Sequence, residues 1–229
     1  LRRSVVPEVA DMAAADAARI AANLADVRRR VSAAGGSGVT VVAVTKTQPL
    51  AVLRAAVEAG CDALGENYVQ EIVAKLAGAP APGPLHMIGT IQSNKVRKIA
   101  SLVSLWQSVD RESVIEEIGR RVAGGGCGDV LLQVNLTGED GKGGCAPGRV
   151  ERLRAHAEEH GVRVLGLMTV GPTEGGPEGA EPVFTALRRM CDEGGLGVCS
   201  MGMPADYEVA VGCGSTMVRI GSALLGPRA

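Results

Sequence analysis

Eight short aliphatic runs, separated by stretches with helical periodicity, constrain the fold of this chain more than any other feature. The runs are VTVVAVT (39–45), DALGE (62–66), LHMIG (85–89), LVSLWQSVD (102–110), DVLLQVNLT (129–137), VRVLGLMTV (162–170), GVCSMGM (197–203) and TMVRIG (216–221). Strands joined through helices run parallel, because a parallel neighbour needs a long crossover. Eight such units predict a (β/α)₈ TIM barrel, which typically takes roughly 250 residues.

A long helix is predicted ahead of the first strand, over residues 8–33. Its larger apolar residues recur at spacings of three and four: Ile20, Leu24, Val27 and Val31. Further helices are predicted between the strands, at 49–60, 67–77, 92–100, 111–123, 147–160 and 178–193. Because few residues follow the eighth strand, we expect the N-terminal helix to complete the outer ring of the barrel.

We expect a single domain over residues 1–229. The Gly/Pro-rich stretches 78–84 and 171–179 have the composition of loops rather than of domain boundaries. An open, doubly wound sheet is the main alternative. Such a sheet usually has fewer strands at this length, and no G-x-G-x-x-G motif follows the first strand, so the barrel is favoured.

Composition excludes several classes of function. The net charge is −1 and aromatic residues make up 2% of the chain, which argues against a nucleic-acid partner. No apolar run approaches the ~20 residues of a membrane span, and acidic residues interrupt the first segment, unlike a signal peptide. These patterns predict a cytoplasmic protein without a membrane partner.

The cysteines are expected to be reduced and structural. A disulfide framework is unusual in a chain of this length with so much aliphatic core. No CxxC pair occurs, and no Cys/His cluster has zinc-ligand spacing, so no metal site is predicted. The six positions are Cys61, Cys127, Cys145, Cys191, Cys199 and Cys213.

Polar residues gather where the predicted strands end. The carboxyl ends of barrel strands share one face, which is where enzymes of this fold carry their chemistry. We therefore expect a functional site at this mouth of the barrel. The residues concerned are Lys46, Glu66, Asn67, His86, Gln92, Asn94, Lys95, Asn135, Met168, Thr169, Ser200, Arg219, Gly221 and Ser222.

Lys46, which closes the first strand, has two interpretations. It can be a surface lysine whose stem packs on the sheet rim while its charge stays in water. Alternatively it is a buried amine whose charged form is disfavoured by desolvation. An amine of the second kind can act as a nucleophile and form a Schiff base with an aldehyde.

The last strand favours the second interpretation. Arg219 lies among Met, Val and Ile, and a buried guanidinium needs an acceptor. Gly221 and Ser222 follow where a helix would begin, which is typical of an anion site as well as of a plain turn. Barrels often bind phosphate after strands 7 and 8. A lysine, a phosphate site and a buried cation at one mouth together suit pyridoxal 5′-phosphate (PLP).

Seven segments in order resemble the pyridoxal phosphate homeostasis proteins (the YggS/PROSC family), which share the barrel of the alanine racemase N-terminal domain. The resemblance covers nearly the whole chain. It deviates only mildly, at Leu85, where an aromatic residue is common, and at Pro204, where a serine is frequent. The segments are VVAVTKTQP (41–49), LGENYVQE (64–71), HMIGTIQSNK (86–95), QVNLTGEDGKGG (133–144), GLMTVGP (166–172), SMGM (200–203) and GSTMVRIG (214–221).

The resemblance implies a role for each matching residue. Lys46 takes the position of the lysine that forms the Schiff base, and Arg219 that of the arginine facing the pyridine nitrogen. Ser200, Gly221 and Ser222 match phosphate-binding positions. Asn67 matches an asparagine beside the ring, Met168 lies at the mouth, and Lys95 corresponds to a lysine linked to a second cofactor contact or to cofactor transfer. His86 and Lys95 can equally be ordinary polar residues.

Two functions follow from such a site. In the first, the protein holds PLP reversibly and delivers it to PLP-dependent apo-enzymes, without robust turnover; in the second, it is an amino-acid racemase. Racemisation needs a base on each face of the substrate α-carbon, and we expect Tyr68 and Tyr207 on the barrel rim rather than over the ring. A permanent cation at Arg219 also opposes protonation of the pyridine nitrogen and weakens the ring as an electron sink. We therefore expect a monomeric, non-catalytic PLP-binding protein.

Overall fold

The structure is a computed structural model that describes residues 5–226, with side chains from residue 16 onward. Eight strands and nine helices occur in the described part of the chain. The strands are β1 Thr40–Val44, β2 Ala63–Glu66, β3 Leu85–Met87, β4 Leu105–Val109, β5 Asp129–Gln133, β6 Arg163–Met168, β7 Val198–Ser200 and β8 Met217–Ile220. The helices are α1 Val5–Ala33, α2 Leu50–Glu58, α3 Val69–Leu76, α4 Ser93–Val96, α5 Glu112–Val122, α6 Val150–Glu159, α7 Gly176–Glu193, α8 Tyr207–Gly212 and α9 Ser222–Leu225.

The strands form a closed parallel barrel in sequence order, which confirms the predicted fold. Each strand pairs with its predecessor, and β8 closes the ring onto β1 with Val42 opposite Arg219. Closure leaves no open sheet edge, so every strand is supported on both sides.

Helix α1 confirms the predicted N-terminal helix and its place in the outer ring. It packs on α2 and on the C-terminal helix α9. The Asn23 Nδ2 donates to the carbonyl of Leu224 and the Arg19 Nη1 to that of Leu225, each at 2.9 Å. The first helix therefore covers the seam where the barrel closes.

Two apolar layers follow from the alternation of side chains along the strands. The larger one fills the space between sheet and helices and includes the fully buried Trp106 and Phe184. The smaller one comes from strands alone and fills the barrel interior. Its buried members are Val42, Ala63, Leu105, Leu131, Met168 and Met217.

The structure differs from the sequence prediction at several places, of which one helix and one side chain bear on the fold. The helix expected at 92–100 is regular only over α4, and the chain continues in i→i−3 turns such as Lys98 N–H to the Lys95 carbonyl. This short connection must direct Ile99 and Val103 into the core. Tyr207, expected on the rim, is 2% exposed at the start of α8, where the guanidinium of Arg30 lies 5.6 Å from its ring centroid.

The six cysteines are all free thiols, as predicted. Burial raises the pKa of the Cys61 and Cys145 thiols to about 11, which keeps them protonated and unreactive. Among the described helices, none has both the length and the apolar character needed to cross a bilayer.

Candidate cofactor site

Lys46 lies two residues beyond β1, between the ends of its neighbours β2 and β8. Thr45 donates its hydroxyl to Glu66, and Lys46 follows in a turn that the Gln48 N–H closes onto the Thr45 carbonyl at 3.0 Å. The side chain is half-buried. Among the described residues its amine has no hydrogen bond or ion pair, which leaves it available to a ligand.

A buried acid–lysine cluster fixes the loop that presents Lys46. The Lys75 ammonium, on α3, donates to both carboxylate oxygens of Glu66 (2.7 and 3.0 Å) and to the carbonyl of Thr45 (2.9 Å). The same ammonium lies 3.0 Å from Glu71, whose other contact is the Thr47 N–H at 2.7 Å. Thr47 has a φ of 63°, an unfavourable conformation for a β-branched residue. Helix α3 therefore holds this strained turn in place.

The pKa values of the two carboxylates in this cluster, Glu66 and Glu71, are shifted in opposite directions. Burial raises the pKa of Glu66 above its ordinary value, although hydrogen bonds from Lys75 and Thr45 partly offset the effect. Burial also acts to raise the pKa of Glu71, but the hydrogen bonds from Thr47 and Lys75 outweigh it and hold that pKa below the usual range. The nearby Lys46 ammonium acts in the same direction on Glu71.

Arg219 is the buried cation of the site. It is 4% exposed, and burial lowers its pKa to about 10, so it remains protonated at neutral pH. Its Nη1 donates to the Ser200 hydroxyl at 2.6 Å, and its Nη2 donates to the carbonyl of Thr169 at 2.8 Å. No described carboxylate contacts the guanidinium: its two described hydrogen bonds go to neutral acceptors, and Asp206 acts on it only as a nearby charge.

A chain of buried polar side chains crosses the barrel interior from Arg219. The Ser200 hydroxyl donates to Gln107 Oε1 at 2.7 Å, and Gln107 Nε2 lies 2.9 Å from His86 Nδ1. Because β4 and β7 are not neighbours, the contact between Gln107 and Ser200 runs through the interior. Burial lowers the pKa of His86 to about 4, so the imidazole is neutral at physiological pH. The name "interior polar chain" is used below for His86, Gln107, Ser200 and Arg219.

Free backbone N–H groups gather where β7 and β8 end. Gly221 precedes α9 without a side-chain cap, and the Arg219 N–H donates to the carbonyl of Gly202 at 3.0 Å, which joins the two strand ends. A Cβ at Gly202 would lie 2.7 Å from Ala210, so this close approach requires glycine. Within the described residues, no acceptor takes the N–H groups of Gly202, Gly221, Ser222 and Ala223.

Asn67 lies on the other side of Lys46, just beyond β2. Its Oδ1 is buried and has no partner among the described groups. A Cβ at Gly89 would lie 2.2 Å from the Asn67 carbonyl, so the loop after β3 packs directly onto this residue. Asn67, Gly89 and Lys95 line a cleft of about 380 Å³ together with the exposed ring of Tyr68.

The structure thus groups the predicted residues unevenly. Lys46, Asn67, Gly221 and Ser222 lie at the ends of three adjacent strands, β8, β1 and β2. Lys95 lies beyond Asn67, in the cleft. Met168 is 1% exposed and belongs to the interior apolar layer. Ser200 lies within the interior polar chain and is fully buried.

Sequence reasoning missed Gln107 and Lys75. Gln107 occurs at the inward-facing parity of an otherwise apolar strand, two residues after the interior Leu105, and this alternation could have identified it. Lys75 follows Glu71 at the i+4 spacing of a helical ion pair. Its contact with Glu66 depends on how α3 packs on β2, which the sequence pattern does not show.

The barrel places this chain in the class of proteins built on the alanine racemase N-terminal domain, and the family of that description matches residues 15–229. The pyridoxal phosphate homeostasis protein of Pseudomonas aeruginosa is 40% identical over 220 residues, which cover 91% of this chain and 96% of that protein. The chain therefore belongs to the pyridoxal phosphate homeostasis protein family, as the sequence resemblance predicted.

Solved structures agree with this assignment. PipY of Synechococcus elongatus, in its structure with PLP bound, is 30% identical with a TM-score of 0.76, over 90% of this chain and 100% of PipY. An alanine racemase from Streptomyces coelicolor is 24% identical with a TM-score of 0.68, and the match covers 91% of this chain and 58% of the racemase. The second likeness concerns the fold alone.

Proposed function

We propose that this protein binds PLP reversibly at the barrel mouth and takes part in vitamin B6 homeostasis by holding the cofactor and releasing it to apo-enzymes. The observation that carries the proposal is the unpartnered amine of Lys46, at the end of the strand next to the one that carries the buried Arg219 and the free backbone N–H groups. The family and the PLP-bound structure of PipY support it.

The chemistry of the site suits each part of this cofactor. When bound, PLP supplies an aldehyde that condenses with a primary amine, and Lys46 is the amine at the mouth. The N–H groups of Gly221 and Ser222, with the Ser222 hydroxyl, suit the phosphate. We assign Arg219 to the pyridine nitrogen, as the family resemblance implies. The unsatisfied Oδ1 of Asn67 indicates a polar partner beside the ring.

A holding role is favoured over catalysis. Arg219 stays protonated at neutral pH, since its pKa is about 10, and a cation there disfavours a protonated ring nitrogen. The ring is then a weak electron sink. Neither tyrosine is placed as a second base: Tyr207 is 2% exposed against α1, and Tyr68 is 52% exposed at the cleft with Lys95. Amino-acid racemisation remains the second candidate, because Lys46 could serve one face of a substrate.

Lys95 is proposed as a secondary contact rather than an anchor. Its ammonium lies in the cleft on the far side of Asn67, where it could meet an anionic group entering or leaving the mouth. We propose that the protein does so as a monomer in the cytoplasm, in transient contact with apo-enzymes.

Absorbance spectroscopy with added PLP tests the proposal. We expect the wild-type protein to develop a visible band that borohydride fixes covalently, and Lys46→Ala to lack it because the nucleophile is gone. Lys98→Ala, at an exposed lysine just after α4, is the control and should keep the band. An unchanged band in Lys46→Ala would overturn the assignment, and robust racemase turnover that depends on Lys46 would overturn the holding role.

A further inference from the structure

We propose that Ser200 and Gln107 are positioning residues for Arg219, and that the Ser200 hydroxyl is committed to the interior polar chain rather than to the phosphate of a ligand. The inference rests on the proposed function and refines it, because the family resemblance alone assigns Ser200 to phosphate binding. It follows from the directions of four hydrogen bonds, given the orientation of the Gln107 amide, which presents its Oε1 to Ser200 and its Nε2 to His86.

The direction of the chain starts at Arg219. A guanidinium has donors only, so the Ser200 oxygen must accept from Arg219 Nη1 at 2.6 Å. The single proton of the Ser200 hydroxyl then points to Gln107, whose Oε1 lies at 2.7 Å. A serine hydroxyl cannot donate twice, so it has no proton left for a phosphate oxygen.

The same logic continues to His86. Once Gln107 Oε1 accepts from Ser200, the amide nitrogen faces His86 Nδ1 at 2.9 Å and donates to it. His86 Nδ1 must therefore be unprotonated, which places the ring proton on Nε2. Burial holds the pKa of His86 at about 4, so the ring can act as this acceptor at neutral pH.

The residues of the interior polar chain have few alternative hydrogen-bond partners. His86, Gln107, Ser200 and Arg219 are 7%, 0%, 0% and 4% exposed, so solvent does not replace a lost partner. At the other end, Arg219 Nη2 is held by the Thr169 carbonyl at 2.8 Å. A buried cation without a carboxylate needs every neutral acceptor it has. Loss of Ser200 or Gln107 is therefore expected to free the guanidinium to turn.

If Ser200 does not bind the phosphate, other atoms must do so. The N–H groups of Gly221 and Ser222 and the exposed Ser222 side chain lie at the mouth and are uncommitted. Ser200 and Ser222 thus make a matched pair. One acts through Arg219 on the ring, and the other acts on the phosphate.

The first experiment needs no cofactor. Long-range ¹H–¹⁵N spectra of the histidine-labelled protein at neutral pH should show His86 as the Nε2–H tautomer, and Gln107→Met should weaken that preference because the donor to Nδ1 is lost. An Nδ1–H tautomer in the wild-type protein would overturn the proposed direction of the chain. A failure of PLP binding would leave this result intact and would count against the proposed function alone.

The second experiment compares the dissociation constants of PLP and pyridoxal, which lacks the phosphate. We expect Ser200→Ala and Gln107→Met each to weaken both ligands by a similar factor, about tenfold, because they disturb the ring contact. Ser222→Ala should weaken PLP selectively. A loss confined to PLP in Ser200→Ala would overturn the proposal, and Gln107→Met tests the same chain should Ser200→Ala fail to fold.

Discussion

At the scale of single residues, the site depends on groups whose protonation is set by burial. Arg219 keeps its proton although it is buried, since its pKa of about 10 still lies well above neutrality. His86 is the opposite case, because burial favours its neutral form. The two residues end the same hydrogen-bonded chain, Arg219 as a donor and His86 as an acceptor through its Nδ1.

The stability of the protein should therefore depend on pH through His86. Its pKa falls from 6.5 to about 4 on folding, so between these values the unfolded chain binds a proton that the folded chain does not. The free energy of unfolding should decrease as the pH falls through this window, by about 3 kcal/mol in total. Urea unfolding at about pH 7 and about pH 4 measures the change.

The matched comparison uses two histidine substitutions. His86→Gln should reduce the pH dependence, whereas His160→Gln, at an exposed position after α6, should retain it. Equal pH dependence in His86→Gln and the wild-type protein would show that His86 titrates normally in the folded state.

At the scale of elements, helix α3 controls the loop that carries Lys46. Lys75 connects the helix to Glu66 at the end of β2 and to the carbonyl of Thr45. Its removal would leave Glu66, which is 1% exposed, without its cation. We expect Lys75→Met to lower the free energy of unfolding by about 3 kcal/mol, as is typical of a broken buried pair.

A double-mutant cycle separates the charge from the packing. Adding Glu66→Gln to Lys75→Met should restore much of the loss, because no uncompensated carboxylate remains. Lys98→Met, at an exposed lysine, should change stability little. If the double variant is no more stable than Lys75→Met, the buried charge does not explain the loss.

At the scale of the whole molecule, closure of the barrel joins the first and last elements. β1 pairs with β8, and α1 packs on α9 through Asn23 and Arg19. With this connectivity we expect the chain to unfold as one cooperative unit, in line with the single domain predicted from the sequence. Trp106, the only tryptophan, is fully buried and donates its indole N–H to the Cys127 carbonyl, which makes it a local probe.

Fluorescence of Trp106 and far-UV circular dichroism should give coincident denaturant transitions. Addition of PLP should move both midpoints upward together, because a ligand that binds only the folded state stabilises the whole unit. Two separated transitions would contradict the single-domain prediction.

The order of the elements, and the candidate site residues that gather at the strand ends, were accessible from the sequence by itself. Each strand and each strand end is a local pattern. A short aliphatic run stops at a polar residue such as Lys46 or at a turn residue such as Gly221. The fold followed because eight parallel units have few ways to bury both faces.

Only the tertiary structure decided which residues act on one another. Ser200 and Gln107 lie 93 positions apart and meet because their strands face each other across a closed barrel. Whether Tyr207 reaches the rim or the core depends on how α1 packs on α8, which no local pattern encodes. Hydrogen bonds are short and directional, so they require the register and closure of all eight strands before a donor finds its acceptor.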